Sequence, residues 1–338
     1  MYKNLSIIMF YTMLISGTMI SISSNSWLGA WMGLEMNLLA FIPIINNFKN
    51  MMFTEASLKY FLVQAMASSI LLFSILFLFF YKNLNLSSFY NLNISLILMN
   101  SALMMKLGIA PFHFWFPSMI EGLSWMNCLI LLIWQKIAPM MLIMYIINIK
   151  FMIIIIIITT LIGAIGGLNQ ISLRKILAFS SINHMGWMLS SMMISNFYWK
   201  MYFLIYSIIT FSIIINFYSF NIFYLNQSFL IMNNYPENKF LLYCNLLSLG
   251  GLPPFLGFLP KWLIIQNLLD KNMLIIIFMM MMTLITLFYY IRITYSAFLL
   301  NYNQLKFSNF MIHNKFLLYM SNFLTLMGMM SLFLFFEL

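Results

Sequence analysis

A chain of 338 residues that is 64% hydrophobic and only 7% charged cannot build a water-facing surface, since a soluble domain needs roughly a quarter charged residues. The net charge of +10 comes from basic residues scattered singly between apolar runs, which excludes the clustered patch of a nucleic-acid binder and fits the loop bias of a membrane protein. Two cysteines, Cys128 and Cys244, are too few and too far apart for a metal site or a disulfide framework, and they read as core residues.

In chain order, apolar runs long enough to cross a bilayer predict eleven spans, at 5–22, 26–45, 56–81, 94–120, 124–147, 151–168, 172–194, 198–224, 240–269, 273–299 and 316–336. The fourth and ninth are broken. Connections are short and polar, as at 46–54 and 226–238, and no linker or shift of composition divides the chain. The expectation is one all-α polytopic transmembrane domain (1–338) with no cleavable leader and no lipidation motif. The 34 methionines and long isoleucine runs suggest an AT-rich organellar gene.

Charge sets the expected topology. With the N-terminus on side A, that side carries Lys3, Lys49, Lys59, Arg174, Lys175, Lys239, Arg292, Lys306 and Lys315, while side B carries Lys82, Lys150, Lys200 and Lys271. Nine against four places side A in the cytoplasm or, in a mitochondrion, the matrix.

The two broken spans share a pattern. Lys106-Leu-Gly-Ile-Ala-Pro-Phe-His-Phe-Trp-Phe-Pro117 interrupts the fourth with Gly108 and Pro111, which free backbone groups in mid-membrane. The break recurs 143 positions later as Gly251-Leu-Pro-Pro-Phe-Leu-Gly-Phe-Leu-Pro260, followed by Lys261. Gly108/Gly251, Pro111/Pro254, Phe112/Phe255 and Pro117/Pro260 coincide without gaps. The broken spans stand fourth and ninth, an odd offset, so the second copy runs through the membrane in the opposite direction. The organisation expected is therefore repeat one at about 5–147, an inverted repeat two at about 151–299, and a terminal helix at about 316–336. Inverted repeats with discontinuous helices are a transporter architecture with its working site near the midplane.

Three cations are left over from the loop count: Lys106, Lys136 and Lys261. Lys136 lies about 17 Å from either end of its span at 1.5 Å per residue, beyond the reach of a snorkelling lysine. Glu35 is equally central in the second span. A charge at such depth costs at least about 2.5–3.5 kcal/mol and persists only for a reason. The structural alternatives are an ion pair for Lys136 and Glu35, satisfaction by freed carbonyls at the break for Lys106, and an interfacial anchor for Lys261. His113, beside the first break, is a secondary candidate. His184 shares a helix face with Ser180 and Ser191, a stripe that reads as interhelical glue or as a proton relay.

These residues also carry a resemblance. Gln170-Ile-Ser-Leu-Arg-Lys-Ile-Leu-Ala-Phe-Ser-Ser-Ile-Asn-His-Met-Gly186 resembles the signature of the antiporter-like, proton-translocating subunits of respiratory complex I and of the related multisubunit cation/proton antiporters. Lys106 with the following Pro-Phe-His-Phe-Trp-Phe-Pro, and Glu121-Gly122 beyond it, is similar to that family's first broken helix. Thr54-Glu-Ala-Ser-Leu-Lys-Tyr-Phe-Leu-Val-Gln-Ala65 resembles, more narrowly, a mitochondrial branch of the family. The resemblance covers nearly the whole chain. It implies a two-repeat fold in which Glu35 and Lys106 form a glutamate–lysine pair, Lys136 is a connecting lysine and Lys261 a terminal one, along a hydrated axis. It departs from the family at Leu123, where a proline often stands, in having eleven spans instead of fourteen, and in having no long lateral helix at the C-terminus. Loss of three N-terminal spans would put the N-terminus in the matrix, as the charge count does.

The function expected is proton translocation as a core membrane-arm subunit of a redox-driven pump in the mitochondrial inner membrane. Desolvation disfavours the charged form of a lysine and a neighbouring glutamate favours it, so joining and parting the two switches a proton on and off. Moving one charge against about 200 mV takes about 4.6 kcal/mol, within reach of a buried pair but not a surface one. No Gly-rich nucleotide motif, cysteine cluster or flavin site is recognisable. NADH, FMN, iron–sulfur clusters and ubiquinone are thus expected in partner subunits, with other membrane-arm subunits and lipids as neighbours and no nucleic acid. The competing readings are a cation/proton antiporter subunit and a passive scaffold.

Overall fold

A computed structural model describes residues 2–46, 50–83, 89–233 and 235–299, with Tyr319, Asn322, Phe323 and Thr325 beyond them. The described chain is helical. Its one strand-like feature among those residues is an isolated antiparallel bridge between Ser172 and Tyr224. Backbone packing divides the chain into two compact units, Met1–Ile155 and Ile156–Leu338.

The first unit begins with α1 (Tyr2–Ser23) and α2 (Trp27–Ile45), which lie closely side by side. Small residues make this possible. A Cβ on Gly33 would stand 2.6 Å from the Ser21 nitrogen, and one on Gly17 would stand 3.0 Å from the Gly33 carbonyl oxygen. In lipid, where tails are as apolar as leucine, such backbone approach supplies the van der Waals contact that holds helices together. Next comes α3 (Met51–Asn83), whose outer face carries Leu58, Leu62, Met66 and Phe73. Then follow α4 (Phe89–Leu107), the short α5 (Trp115–Glu121) and α6 (Trp125–Leu129), a π turn (Ile130–Trp134), and α7 (Gln135–Ile143). Gly122 pins the end of α5 against α3, where an added Cβ would meet the Met52 carbonyl oxygen at 2.6 Å.

The second unit takes up α8 (Ile149–Gly166) from residue 156, then α9 (Leu173–Met192), α10 (Asn196–Ser219), α11 (Leu225–Met232), α12 (Pro236–Gly250), α13 (Phe258–Leu268) and α14 (Met273–Leu299). Here α9 is the core element, and every residue from Ser180 to Met192 is buried. That burial explains how a helix bearing Asn183, His184 and four serines persists in an apolar protein: its polar atoms face protein, not lipid. Gly163 on α8 and Gly186 on α9 let these two helices close up, since a Cβ on either would collide with Asn183 or Thr160.

Seven of the described helices are long and apolar enough to cross a membrane. Spans four and nine fall short because each is split, and α9 because of its polar content. Span eleven lies almost entirely outside the described residues. Around 226–238 the structure corrects the expected loop: Leu225–Met232 is helical, started by the Gln227 side chain, which accepts from the backbone N–H groups of Phe223 (2.9 Å) and Tyr224 (3.3 Å). Asparagines at both ends made this segment look like a connection, while the apolar Leu225, Phe229 and Met232 between them support a short amphipathic helix.

Candidate functional site

Both breaks share their helix ends and three backbone hydrogen bonds, in register over 143 positions. Helix α4 ends at Leu107 and α12 at Gly250, and α5 starts at Trp115 and α13 at Phe258. Gly108 (φ 70°) and Gly251 (φ 86°) occupy the left-handed region that favours glycine. Three backbone bonds repeat: Gly108 N to Met105 O and Gly251 N to Ser248 O, at 3.2 and 3.0 Å; Ile109 N to Met104 O and Leu252 N to Leu247 O, at 3.1 and 3.4 Å; Phe112 N to Ile109 O and Phe255 N to Leu252 O, at 2.9 and 3.0 Å. Pro111 and Pro254 lie in the unwound stretches, and Pro117 and Pro260 stand in the first turn of the next helix, where a missing N–H costs nothing.

The lysines differ. Lys261 reaches back across its break, and its ammonium donates to the carbonyls of Gly250 (2.7 Å) and Leu249 (3.5 Å) at the C-terminus of α12. That is the negative end of a helix, with orphan carbonyls to satisfy. Gly251 serves twice, since a Cβ there would lie 2.8 Å from the Lys261 ammonium. Lys106 precedes its break, is buried, and its ammonium has no hydrogen-bond partner among the described residues. The Glu35 carboxylate acts on it electrostatically without forming a direct ion pair. Satisfaction by freed carbonyls, the structural alternative weighed for Lys106, is therefore seen at Lys261 instead.

Lys106 and Lys136 line one cavity, with Asn37, Tyr60, Gln64, Gln135 and apolar neighbours. Its volume is about 20 Å³, which exceeds the ~10–15 Å³ a water needs, so it has room for about one. Lys136 is 2% exposed, and its ammonium stands 5.7 Å from the centre of the Phe116 ring. Polar side chains tie the walls together. Gln135 Nε2 donates to Asn37 Oδ1 (3.1 Å), Tyr60 OH donates to Gln135 Oε1 (3.5 Å), and Gln64 Nε2 donates to the Lys106 carbonyl (3.1 Å). The helix carrying Glu35, the helix carrying Lys136 and the end of the helix carrying Lys106 are thus linked through α3. The π turn at Ile130–Trp134 immediately precedes Gln135 and Lys136 and shifts the phase in which α7 presents them.

Those linking residues are absent from the sequence-level candidates. Their signal was present. Ser57, Tyr60, Gln64 and Ser68 are all buried and recur at spacings of three and four along an otherwise apolar span, a polar stripe on one helix face.

His113 is buried at the first break, with Nδ1 3.3 Å from the Pro111 carbonyl and its ring 4.3 Å from that of Phe114. His184, in the second unit, pairs through Nδ1 with the Tyr202 hydroxyl on α10 at 2.8 Å, and its ring lies 5.2 Å from Tyr206. The serine stripe bonds carbonyls of its own helix and also meets tyrosines of neighbouring helices, Ser180 the Tyr290 hydroxyl on α14 and Ser181 the Tyr206 hydroxyl on α10. Ser180 and Ser191 donate to the carbonyls of Leu177 and Met188 on their own helix, so the cross-helix partner of His184 is a tyrosine. No group of three or more His, Cys, Asp or Glu among the described residues is placed to hold a metal ion.

Residues 24–286 match the family described as NADH:quinone oxidoreductase/Mrp antiporter, TM. The chain is 57% identical over 316 residues to NADH-ubiquinone oxidoreductase chain 2 of Anopheles gambiae, covering 93% of this chain and 91% of that protein. It is 54% identical over 333 residues to the Aedes aegypti protein of the same name, covering 97% of each. In fold it matches a chain of respiratory complex I from Thermus thermophilus with bound Aureothin, with a TM-score of 0.83 and 21% identity over 95% of this chain and 78% of that chain.

Proposed function

Because the chain belongs to the NADH:quinone oxidoreductase/Mrp antiporter transmembrane family, we propose that it serves as a membrane-arm subunit of proton-pumping NADH–ubiquinone oxidoreductase and carries protons on Glu35, Lys106, Lys136 and Lys261. The observation that carries the residue assignment is the cavity shared by Lys106 and Lys136, with room for about one water, deep in a helix bundle. Two buried amines that face one small polar cavity are a relay in form.

The steps follow from the side chains. With Glu35 charged and near, Lys106 holds its proton; when the two part, burial favours the neutral amine and the proton leaves. A single water among the amides of Asn37, Gln64 and Gln135 can hand that proton towards Lys136. The amides orient this water and do not carry charge themselves. Lys261, held on the α12 carbonyls, and His184, held by Tyr202, take the corresponding part in the second unit, and His113 is a secondary group beside the first break. The breaks give this chemistry its room, because unwound backbone in a membrane must face protein or water.

The wider reading has eleven spans in two inverted repeats and the N-terminus in the mitochondrial matrix. Nucleotide, flavin, iron–sulfur and quinone chemistry belong to partner subunits on this reading. The deciding experiment is Lys136→Met in the assembled complex, with the ratio of protons moved to electrons passed as readout. The complex is expected to assemble, since loss of a buried charge relieves desolvation, and the ratio to fall. Assembly with a wild-type ratio would leave the scaffold reading.

A further inference from the structure

Three asparagines of the second unit meet at one buried point. Asn216 on α10 is 0% exposed, Asn245 on α12 is 1% exposed, and Asn322 and Thr325 in the terminal segment are each 1% exposed. We propose that this cluster is a latch through which the terminal segment holds the end of α12 in place, so that Asn245 and Asn322 are positioning residues for Lys261. The consequence for pumping rests on Lys261 being a proton carrier; the latch itself does not.

The hydrogen bonds fix which amide atom is which. The Asn216 amide nitrogen donates to the Ser212 carbonyl on its own helix (2.8 Å), and since a carbonyl only accepts, that amide can stand one way round. The same nitrogen donates to Asn322 Oδ1 (2.9 Å), and Asn245 Nδ2 donates to Asn322 Oδ1 as well (2.7 Å). One oxygen thus takes a hydrogen bond from each of two helices on its two lone pairs. Thr325 Oγ1 closes the ring on Asn245 Oδ1 at 2.6 Å and also faces the Asn322 carbonyl at 2.8 Å. The terminal segment is therefore bonded to both edges of the Asn245 amide. Buried amides are costly unless paired, so loss of the Asn322 oxygen leaves Asn245 with a donor it cannot use.

Interhelical glue would account for that much. The place of Asn245 gives the cluster its further role. Leu249 and Gly250, whose carbonyls receive the Lys261 ammonium at 3.5 and 2.7 Å, stand in the next turn of the same helix, which ends at Gly250. Within that turn the Ser248 hydroxyl donates back to the Asn245 carbonyl (2.7 Å). There is no slack on the far side, because a Cβ on Gly257, just before α13, would run into the Ser248 carbonyl oxygen. A turn released at Asn245 therefore carries the Leu249 and Gly250 carbonyls away from the ammonium they hold. The first unit supplies the contrast. Over the 143-position register Ala102 matches Asn245, and the Lys106 ammonium at that break finds no carbonyl among the described residues. The helix end that carries the amide holds its lysine, and the one that carries alanine does not.

The test uses the assembled complex carrying Asn322→Leu, which keeps much of the volume and removes the shared acceptor. Amide hydrogen exchange at 247–252, the end of α12 and the start of its break, should quicken about fivefold, as loss of one hydrogen bond predicts. Exchange at 236–243, earlier in the same helix, should stay as it is. Unchanged exchange at 247–252 overturns the proposal, and an equal rise along all of α12 overturns it in favour of glue. The proton-to-electron ratio then asks whether the latch acts through Lys261. It should fall in Asn322→Leu, and in a Lys261→Met background the second substitution should lower it no further. An additional fall there overturns the positioning role. A wild-type ratio in Lys261→Met alone removes Lys261 from the proton path, while the exchange at 247–252 still decides the latch. Should Asn322→Leu fail to assemble, Thr325→Val, which keeps the shape and deletes only the hydroxyl on Asn245, takes its place with the same readouts: quickened exchange confined to 247–252 supports the latch, and unchanged exchange overturns it.

Discussion

Lys261 Nζ lies 2.7 Å from the Gly250 carbonyl oxygen. Gly251, the next residue, leaves the space this contact needs. Lys106, at the break with matching backbone hydrogen bonds, stands before the interruption instead of after it and finds no such acceptor. Two breaks with the same backbone hydrogen bonds thus hold their lysines differently. One ammonium is parked on helix carbonyls, and the other is buried without a hydrogen bond, in the field of Glu35 and on a residue that lines a small cavity.

That difference predicts unequal responses to one substitution. Gly251→Ala and Gly108→Ala both force alanine into left-handed backbone, at about 1–2 kcal/mol each. Only Gly251→Ala also pushes against the lysine ammonium, because a Cβ on Gly108 meets the Phe116 side chain, at 3.0 Å. Thermal unfolding of the two complexes should therefore shift similarly, while the proton-to-electron ratio falls more for Gly251→Ala. Equal ratios would show that the Lys261 position does not matter to pumping.

Gln135→Leu removes the bridge between α2 and α7 and strands Asn37 Oδ1, at about 1–3 kcal/mol for a buried polar group left unpaired. Pumping should drop with it, since Asn37 stands two residues from Glu35 and Gln135 precedes Lys136. Gln135→Asn, which keeps the amide on a shorter arm, should recover part of the stability and less of the pumping. Recovery of both to the same degree would make the bridge structural only.

The contrast between the breaks and the amides bears on what sequence can reveal. Gly108, Pro111, Gly251 and Pro254 were readable because their backbone demands are local, and the 143-position register carried through to individual hydrogen bonds. The buried charges were readable because their cost in a membrane is large whatever surrounds them. Gln64 and Gln135 were not read, since an isolated amide in a span is cheap and its meaning lies in which helix faces it. For the same reason the partner of His184, the Tyr202 hydroxyl on α10, was not legible in the sequence. The short helix at Leu225–Met232 was hidden by asparagines that read as turn residues.

Tyr202→Phe removes the hydroxyl on His184 Nδ1 and little volume, so about 0.5–1.5 kcal/mol of stability should go with the hydrogen bond. If His184 carries protons, pumping should also change its pH dependence, because the hydroxyl selects which ring nitrogen holds the proton. A stability loss with an unaltered pH profile would make the histidine an interhelical tie.

Single cysteines report the topology. In intact mitochondria, cysteines replacing Lys200 or Lys271 should react with a membrane-impermeant maleimide once the outer membrane is opened, and cysteines replacing Lys59 or Lys175 only after the inner membrane is permeabilised. Labelling of all four from one side would end the inverted-repeat reading.

Lys106 offers the sharpest separation of charge from geometry. Its ammonium makes no hydrogen bond to the described protein, so Lys106→Met breaks none and removes a buried charge; stability should hold or rise. Lys106→Arg keeps the charge but must fit a planar guanidinium beside a cavity of about 20 Å³, an overpacking that costs about 1–3 kcal/mol. It also replaces an amine that can give up its proton with a group that does not deprotonate in proteins. A relay therefore predicts that both variants lose pumping, the methionine one without loss of stability and the arginine one with it. A purely electrostatic role for Lys106, holding Glu35 in place, predicts that arginine pumps and methionine does not. Measuring the proton-to-electron ratio and the melting temperature of both variants distinguishes the two, and pumping by Lys106→Arg at the wild-type ratio would remove Lys106 from the proton path.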